Sequence, residues 1–393
     1  MKYEWKSILA KDFIEFNPKL NLKKGQIAKK VSMENVKAHS KYIKEFSNME
    51  YTGGSKFQNE DTIMARITPC LENGKTAYID FLNENEIGFG STEFIVLRAR
   101  KGISNSQFIY YLSISPEFRK IAINSMVGSS GRQRVQQGVL NEIELVVPNI
   151  ENQKRIAYIL NAIDEKIRIN NLINDNLLEQ TIEFYSMLTE NKNKNGYIGD
   201  YCTIKSGFAF KSKWWQNTGI PVVKIASIKQ DYLDLSNCSF VSEDKKLLAK
   251  DFNVKGGDLL IAMTGATIGK FSIVPKTTKV LLVNQRVGKF FLGDNPVNRL
   301  PYIYCTLKQQ DVISEIINRG QGSAQSNISP SDIMSTPCVI LQADAIEKFN
   351  KNFSPVFEII INNLSENIKL KKVIDLLIPK LMSGKIDVSN INI

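Results

Sequence analysis

Histidine is nearly absent from this chain of 393 residues, with His39 the single example. One imidazole argues against the common Cys/His zinc sites and against catalysis that needs two histidines. Any Ser-His-Asp arrangement would depend on His39, which lies in a Lys-rich polar stretch where a surface position is expected. The five cysteines (Cys70, Cys202, Cys238, Cys305, Cys338) include no Cys-x-x-Cys pair. They read as reduced thiols of a cytosolic protein. No apolar run approaches the ~18–20 residues that cross a bilayer. Met1-Lys2-Tyr3-Glu4-Trp5 has neither the basic start nor the apolar core of a signal peptide. Negative charge is also in short supply: 40 Asp+Glu stand against 51 Lys+Arg, a net +11. Such an excess favours a polyanionic partner, nucleic acid first among them.

Signatures of chemistry are missing too. There is no Asn/Asp-Pro-Pro-Tyr/Phe tetrapeptide to hold a flipped base and no Gly-rich strand-to-helix turn for adenosylmethionine. Gly265-Ala266-Thr267-Ile268-Gly269-Lys270 superficially suggests a phosphate loop. It has three residues between the glycines instead of four, and Phe271 stands where Ser/Thr should meet magnesium, so a β-turn is expected. Asp164-Glu165-Lys166 has the acidic-x-Lys pattern of nucleases but no second placed carboxylate, and reads as a solvated helix face. No catalytic residue and no metal site are expected.

What the chain does contain is itself, twice. Ile169-Asn170-Asn171-Leu172 recurs as Ile361-Asn362-Asn363-Leu364, a shift of 192 residues from 169 to 361. Gly128-Ser129-Ser130-Gly131-Arg132-Gln133 has a looser counterpart in Gly320-Gln321-Gly322-Ser323-Ala324-Gln325, and Asp61 to Thr68 with Gly74-Lys75 is echoed by Asp258 to Thr264 with Gly269-Lys270. Several matches in one order imply a tandem duplication with halves of about 195 residues.

Each half opens with a mixed region rich in Gly, aromatic and β-branched residues. Residues 93–97 and 280–283 read as short buried strands, and 106–123 and 301–318 as helices. A long periodic segment closes each half. In the first, Ile156, Leu160, Ile163 and Ile167 keep 3–4 spacing, and the stripe then broadens through Ile173, Leu177, Phe184 and Leu188. In the second, Ile346, Phe349, Phe353, Val356, Ile360, Asn363, Asn367, Leu370, Ile374, Leu377 and Leu381 form a heptad seam. Pro355 should start or kink this helix. Residues 191–196 read as a linker. Two such helices in a duplicated chain are expected to pack antiparallel, with Ile156, Leu160, Ile163, Ile167 and Leu177 facing Phe353, Ile360, Leu370, Ile374 and Leu377; the alternative is that each packs on its own globular domain. Asn170, Asn363 and Asn367 sit at or near the seam, where buried amides fix register; solvent exposure is the alternative.

Recognition surfaces are the remaining candidates. Arg132, Gln133, Arg134 and Gln136 lie on a Gly-rich loop, and its counterpart carries Gln321, Gln325 and Asn327 after Arg319. Arg forks guanine and Gln or Asn forks adenine, so these side chains suit base edges. Lys56, Arg66, Asn73 and Lys75 form a second polar-basic group, and Lys270, Gln285 and Arg286 a third. Lys211 and Lys213 precede Trp214-Trp215, a mixture compatible with phosphate contact, although the tryptophans themselves suit core packing.

With these residues in view, the chain resembles the specificity subunits of type I restriction-modification systems along essentially its full length. The resemblance rests on Gly53-Gly54-Ser55-Lys56-Phe57, on residues 65–75 (Ala-Arg-Ile-Thr-Pro-Cys-Leu-Glu-Asn-Gly-Lys) and on Gly90-Ser91-Thr92-Glu93-Phe94. Ser206-Gly207-Phe208-Ala209-Phe210 and residues 377–384 (Leu-Ile-Pro-Lys-Leu-Met-Ser-Gly) carry it in the second half. Pro148-Asn149-Ile150-Glu151-Asn152-Gln153 departs from the family's Pro-rich lead into the helix. The resemblance implies an α/β (α+β) tandem-repeat protein with two target-recognition domains (1–149 and 191–341) separated by two long antiparallel coiled-coil helices (150–190, and 342–393 with the tail). It implies a non-catalytic subunit that reads a bipartite, asymmetric double-stranded DNA target. Two methyltransferase subunits and the restriction (translocase and endonuclease) subunits would be its partners. Adenosylmethionine, ATP and magnesium would serve those partners, with no cofactor bound by this chain, in a prokaryotic cytoplasm at the nucleoid. A coiled-coil scaffold for protein partners is the alternative, and a stand-alone nuclease a third.

Overall fold

The computed structural model describes residues 5–320 and 326–391. The chain divides into two compact units, Met1–Lys166 with Leu370–Ile393, and Ile167–Lys369.

The duplication is written into the sheets. In the first unit, one sheet runs Ile14–Phe16, Phe94–Ala99, Thr62–Ala65, Thr76–Tyr78, all antiparallel. The other runs Ser47–Glu50, Ile27–Val31, Gly88–Gly90, Ser55–Phe57, with a parallel central pair. The second unit repeats both orders. Thr203–Ser206, Val287–Phe291, Leu259–Ala262 and Phe271–Ile273 form one sheet, extended by Asp231–Tyr232. Ser239–Val241, Ile220–Val223, Leu281–Val283 and Asn253–Val254 form the other, again with a parallel central pair.

The central strands Thr62–Ala65 and Leu259–Ala262 are buried along their whole length. Each is entered by a buried aspartate that ties down its own turn. Asp61 Oδ2 accepts from the Gln58 amide and Asp258 Oδ2 from the Lys255 amide, both at 2.8 Å. A base neutralises each one, Arg98 on Asp61 at 2.7 Å and Lys289 on Asp258 at 2.9 Å. Burial of an unpaired carboxylate would be costly, so each acid requires its partner.

The expected single helices are pairs. Residues 106–123 divide into Ser106–Ile114 and Pro116–Asn124, because Ser115 turns extended to cap the second helix and Pro116 occupies its first turn. Residues 301–318 divide at Gln309, also extended, into Leu300–Lys308 and Gln310–Gly320.

The two long helices are Ile150–Thr189 and Ala343–Met382. Pro355 lies inside the second, twelve residues beyond its start, instead of beginning it. Within the second unit they run antiparallel: Phe184 meets Phe353, Asn174 meets Asn363, and Asn170 meets Asn367. Within the first unit Arg155 Nε donates to the Ile391 carbonyl at 2.9 Å, and the Lys371 charge acts on Asp164.

The expected apolar stripe is turned inward, and polar residues share the inner face with it. Ile156, Leu160, Ile167, Ile360 and Ile374 are buried, and Ile163, Leu177, Phe353, Leu370 and Leu377 are half-buried. Ile173 and Phe184, by contrast, are 41% and 42% exposed, and Asn170, Asn174, Leu178, Thr181 and Tyr185 take the inner face. Amides can occupy a seam when they pair with one another, as expected for Asn170, Asn363 and Asn367. In the second unit one hydrophobic cluster spans the helices and the globular part. Leu178, Tyr185, Phe349, Phe357 and Ile360 of the helices pack with Ile198, Leu259, Leu300 and Tyr302 of the globular part. The helices there pack both on each other and on their module.

Asp164 corrects a further expectation. It is not part of a solvated face: its Oδ2 accepts the Tyr111 hydroxyl hydrogen at 2.7 Å. Beside it Lys41, 3% exposed, donates to Asn161 Oδ1 at 2.6 Å and to the Tyr111 hydroxyl at 3.0 Å. The ammonium lies about 5 Å from the rings of Tyr42, Tyr78, Tyr110 and Tyr111. Burial raises the Asp164 pKa above its usual range, against the opposing pull of Tyr111 and Lys41. His39, as expected, is at the surface.

Candidate nucleic-acid interface

The ends of the two central strands are built alike, hydrogen bond for hydrogen bond. In the first unit, the Ala65 amide donates to the Lys75 carbonyl at 3.0 Å and the Arg66 amide to the Glu93 carbonyl at 2.9 Å. The Val135 amide returns to the Arg66 carbonyl at 2.8 Å, and the Thr68 amide reaches the Gln133 carbonyl at 3.0 Å. Ile67 bridges Arg134 in antiparallel fashion. In the second unit, Ala262 donates to Lys270 at 2.8 Å, Met263 to Arg286 at 3.1 Å, Ile328 to Met263 at 2.9 Å and Gly265 to Ser326 at 2.9 Å. Thr264 bridges Asn327. Three otherwise distant segments thus converge on one strand end in each unit. They bring together Lys75, Glu93 and Arg134 in the first, and Lys270, Arg286 and Asn327 in the second.

The backbone frame matches while the side chains differ. In the first unit Arg134 is paired with Glu93: its Nη2 donates to Oε1 at 2.7 Å and its Nε to both oxygens at 2.9 and 3.0 Å. That carboxylate raises the arginine pKa further. In the second unit Arg286, at the place of Glu93, is exposed and makes no side-chain ion pair among the described residues. Asn327 accepts from the Thr264 hydroxyl at 3.0 Å.

Several expected contact residues are held by the protein itself. Arg66 donates to the Val135 carbonyl, Lys75 Nζ to the Met33 carbonyl and Lys56 Nζ to the Leu20 carbonyl. Lys56 belongs to a separate cleft lined by Asn17, Lys19 and Ser55. Gln136 turns back to the Arg134 carbonyl, and Arg319 is fixed by Glu315 and Ser335. In this structure all five side chains are engaged within the protein. Arg132, Asn73, Lys213, Lys270 and Gln285 are exposed, with no side-chain hydrogen bond among the described residues. Gln133 is half-buried, its amide donating to Thr68 Oγ1. Lys211 lies over the Trp214 ring at 5.5 Å, and both tryptophans pack half-buried against Phe208 and Phe210. Gln321 and Gln325 lie outside the described residues.

Glu93 is the member that charge-based reading of the sequence missed. An acid does not stand out where basic residues are sought, and only the fold brings it to Arg134, 41 residues away. Among the described residues, no group of three or more His, Cys, Asp or Glu side chains could hold a metal ion, and no helix is long and apolar enough to cross a membrane.

Comparison with known proteins agrees with this duplicated arrangement. Residues 2–179 and 190–340 match the family model described as type I restriction modification DNA specificity domain. Among curated relatives, the type I restriction enzyme MjaIX specificity subunit of Methanocaldococcus jannaschii is 23% identical over 385 residues, covering 88% of this chain and 86% of that protein. The EcoAI specificity subunit of Escherichia coli is 34% identical over 119 residues, 30% of this chain and 20% of that protein. Among solved structures, the S subunit of a type I restriction-modification system from M. genitalium shares the fold with a TM-score of 0.52. Its sequence is 15% identical, and the match covers 98% of this chain and 97% of that one.

Proposed function

The chain belongs to the type I restriction-modification DNA specificity family, and we propose that it reads a split, asymmetric double-stranded DNA target, one half-site with each strand-end frame. Specificity, not catalysis, is the family's task. The observation that carries the proposal is the doubled frame: five backbone contacts recur, while Lys-Glu-Arg in one unit stands where Lys-Arg-Asn stands in the other. A common frame suits a common mode of approach to the duplex. Different side chains on it suit different bases, because donor and acceptor patterns in the major groove distinguish all four base pairs. The net charge of +11 supplies the sequence-independent attraction to phosphates.

The chain would direct two methyltransferase subunits and the restriction subunits to that target, with adenosylmethionine, ATP and magnesium serving those partners. Site-specific methylation tests this. With methyltransferase subunits and adenosylmethionine present, adding the chain should confine adenine methylation to one bipartite motif. Methylation of the same sites without the chain would refute the assignment.

A further inference from the structure

We propose that Glu93 is a positioning residue for base readout: it holds Arg134 so that the guanidinium reads one base of one half-site instead of a phosphate. The proposal rests on the strand-end frame being the DNA interface.

The pair occupies only one edge of the guanidinium. Nε and Nη2 face the carboxylate at 2.7–3.0 Å. Of the five N–H donors of an arginine, those on Nη1 and the outer hydrogen of Nη2 remain. They form an end-on fork, the geometry that meets O6 and N7 of guanine. The charges are ordered for this, because the Arg134 side chain is 45% exposed and that of Glu93 24%. Both residues stand on fixed backbone. The Glu93 carbonyl accepts from Arg66, and Arg134 exchanges both backbone hydrogen bonds with Val127 at 2.9 and 3.0 Å. An unpaired arginine on a Gly-rich loop would sample many rotamers and settle on the nearest phosphate, the strongest attraction in reach. A carboxylate at its side removes rotamer freedom and repels that phosphate. In the second unit the equivalent place holds Arg286, so this device belongs to one half-site alone.

The test uses the full-length chain, a library of duplexes with randomised positions, and sequencing of the retained fraction. Glu93→Ala should lower the preference at one base position of one half-site about tenfold or more. It should also steepen the dependence of log affinity on log salt by about 0.9, the mark of one new phosphate contact. Glu93→Gln, which keeps an acceptor, should retain part of the preference, and Glu93→Ala combined with Arg134→Ala should lose no more than Arg134→Ala alone. An unchanged base preference in Glu93→Ala, or a loss spread over both half-sites, overturns the role of Glu93. Should Arg134→Ala erase a base preference that Glu93→Ala leaves intact, the interface stands and the positioning role falls. A parent chain retaining no preferred sequence would overturn the interface itself.

Discussion

Asn170 donates from one side-chain nitrogen to Asn367 Oδ1 at 2.9 Å and to Glu366 Oε2 at 2.7 Å, while its own Oδ1 is buried without a partner among the described residues. Asn367 in turn donates to Asn171 Oδ1 at 2.9 Å, and Asn363 to Asn174 Oδ1 at 2.8 Å. This amide ladder fixes the pairing of the helices at some expense of stability. Asn170→Leu alone should destabilise the chain by about 1–3 kcal/mol, since it strands the Asn367 oxygen. Asn170→Leu with Asn367→Leu should recover part of that loss, because both partners of that bond are then apolar while the bonds to Glu366 and Asn171 stay lost. Urea denaturation of the three proteins measures the difference; a double variant no better than the single one would contradict the account.

The Lys41 junction should be sensitive to pH. Lys41→Met removes one of the two cations acting on the buried Asp164 and leaves Lys371, so the chain should lose stability, by less than the ~3–5 kcal/mol of a broken buried ion pair. The Asp164 pKa is raised in the folded state, so its contribution to stability falls as pH rises through that raised value. Without Lys41 the rise is larger. The deficit of the variant should therefore grow from acidic to neutral pH and shrink as Asp164 becomes protonated. Denaturant midpoints at pH 5 and pH 8 provide the check, and a deficit independent of pH would be the contrary result.

Much of the architecture was legible because it is periodic or repeated. The Ile169/Ile361 match and the heptad stripe of the second helix announced a duplication and an antiparallel pair. The positions of Asn170, Asn363 and Asn367 in the stripe also marked them as seam amides, and they do pair there. Asn174 and Thr181 were not legible as inner-face residues, because a buried polar side chain satisfied by a neighbouring amide or carbonyl leaves no apolar signature. Of the interface, Lys75, Lys270, Arg134 and Arg286 were visible as basic residues near Gly-rich turns. Their convergence on Ala65–Thr68 and Ala262–Gly265 depends on contacts across as many as 69 residues, as between Arg66 and Val135. Local spacing carries no such information.

Readout should be divisible by module. Arg132→Ala and Arg134→Ala should relax one half-site, and Lys270→Ala and Arg286→Ala the other, with ~1–3 kcal/mol for each lost bidentate base contact. Competition binding with duplexes altered in one half-site at a time distinguishes the cases. Equal weakening on all sequences would assign the altered residue to phosphate instead.

Spacing should follow helix length. Four residues inserted after Lys166, with four more after Lys369, add ~6 Å of rise to each helix at the boundary of the compact units. A base pair advances the duplex by ~3.4 Å. The preferred spacer should lengthen by one or two base pairs with both half-sites unchanged. An unaltered spacer in an active protein would show that the helices do not set it.

The most direct test of the central claim is the parent chain's own binding motif, read by sequencing duplexes retained from a randomised library at physiological salt. Two unequal half-sites at a fixed separation are predicted, one for the Lys-Glu-Arg frame and one for the Lys-Arg-Asn frame. A single continuous site, a palindrome, or no enriched sequence would contradict it.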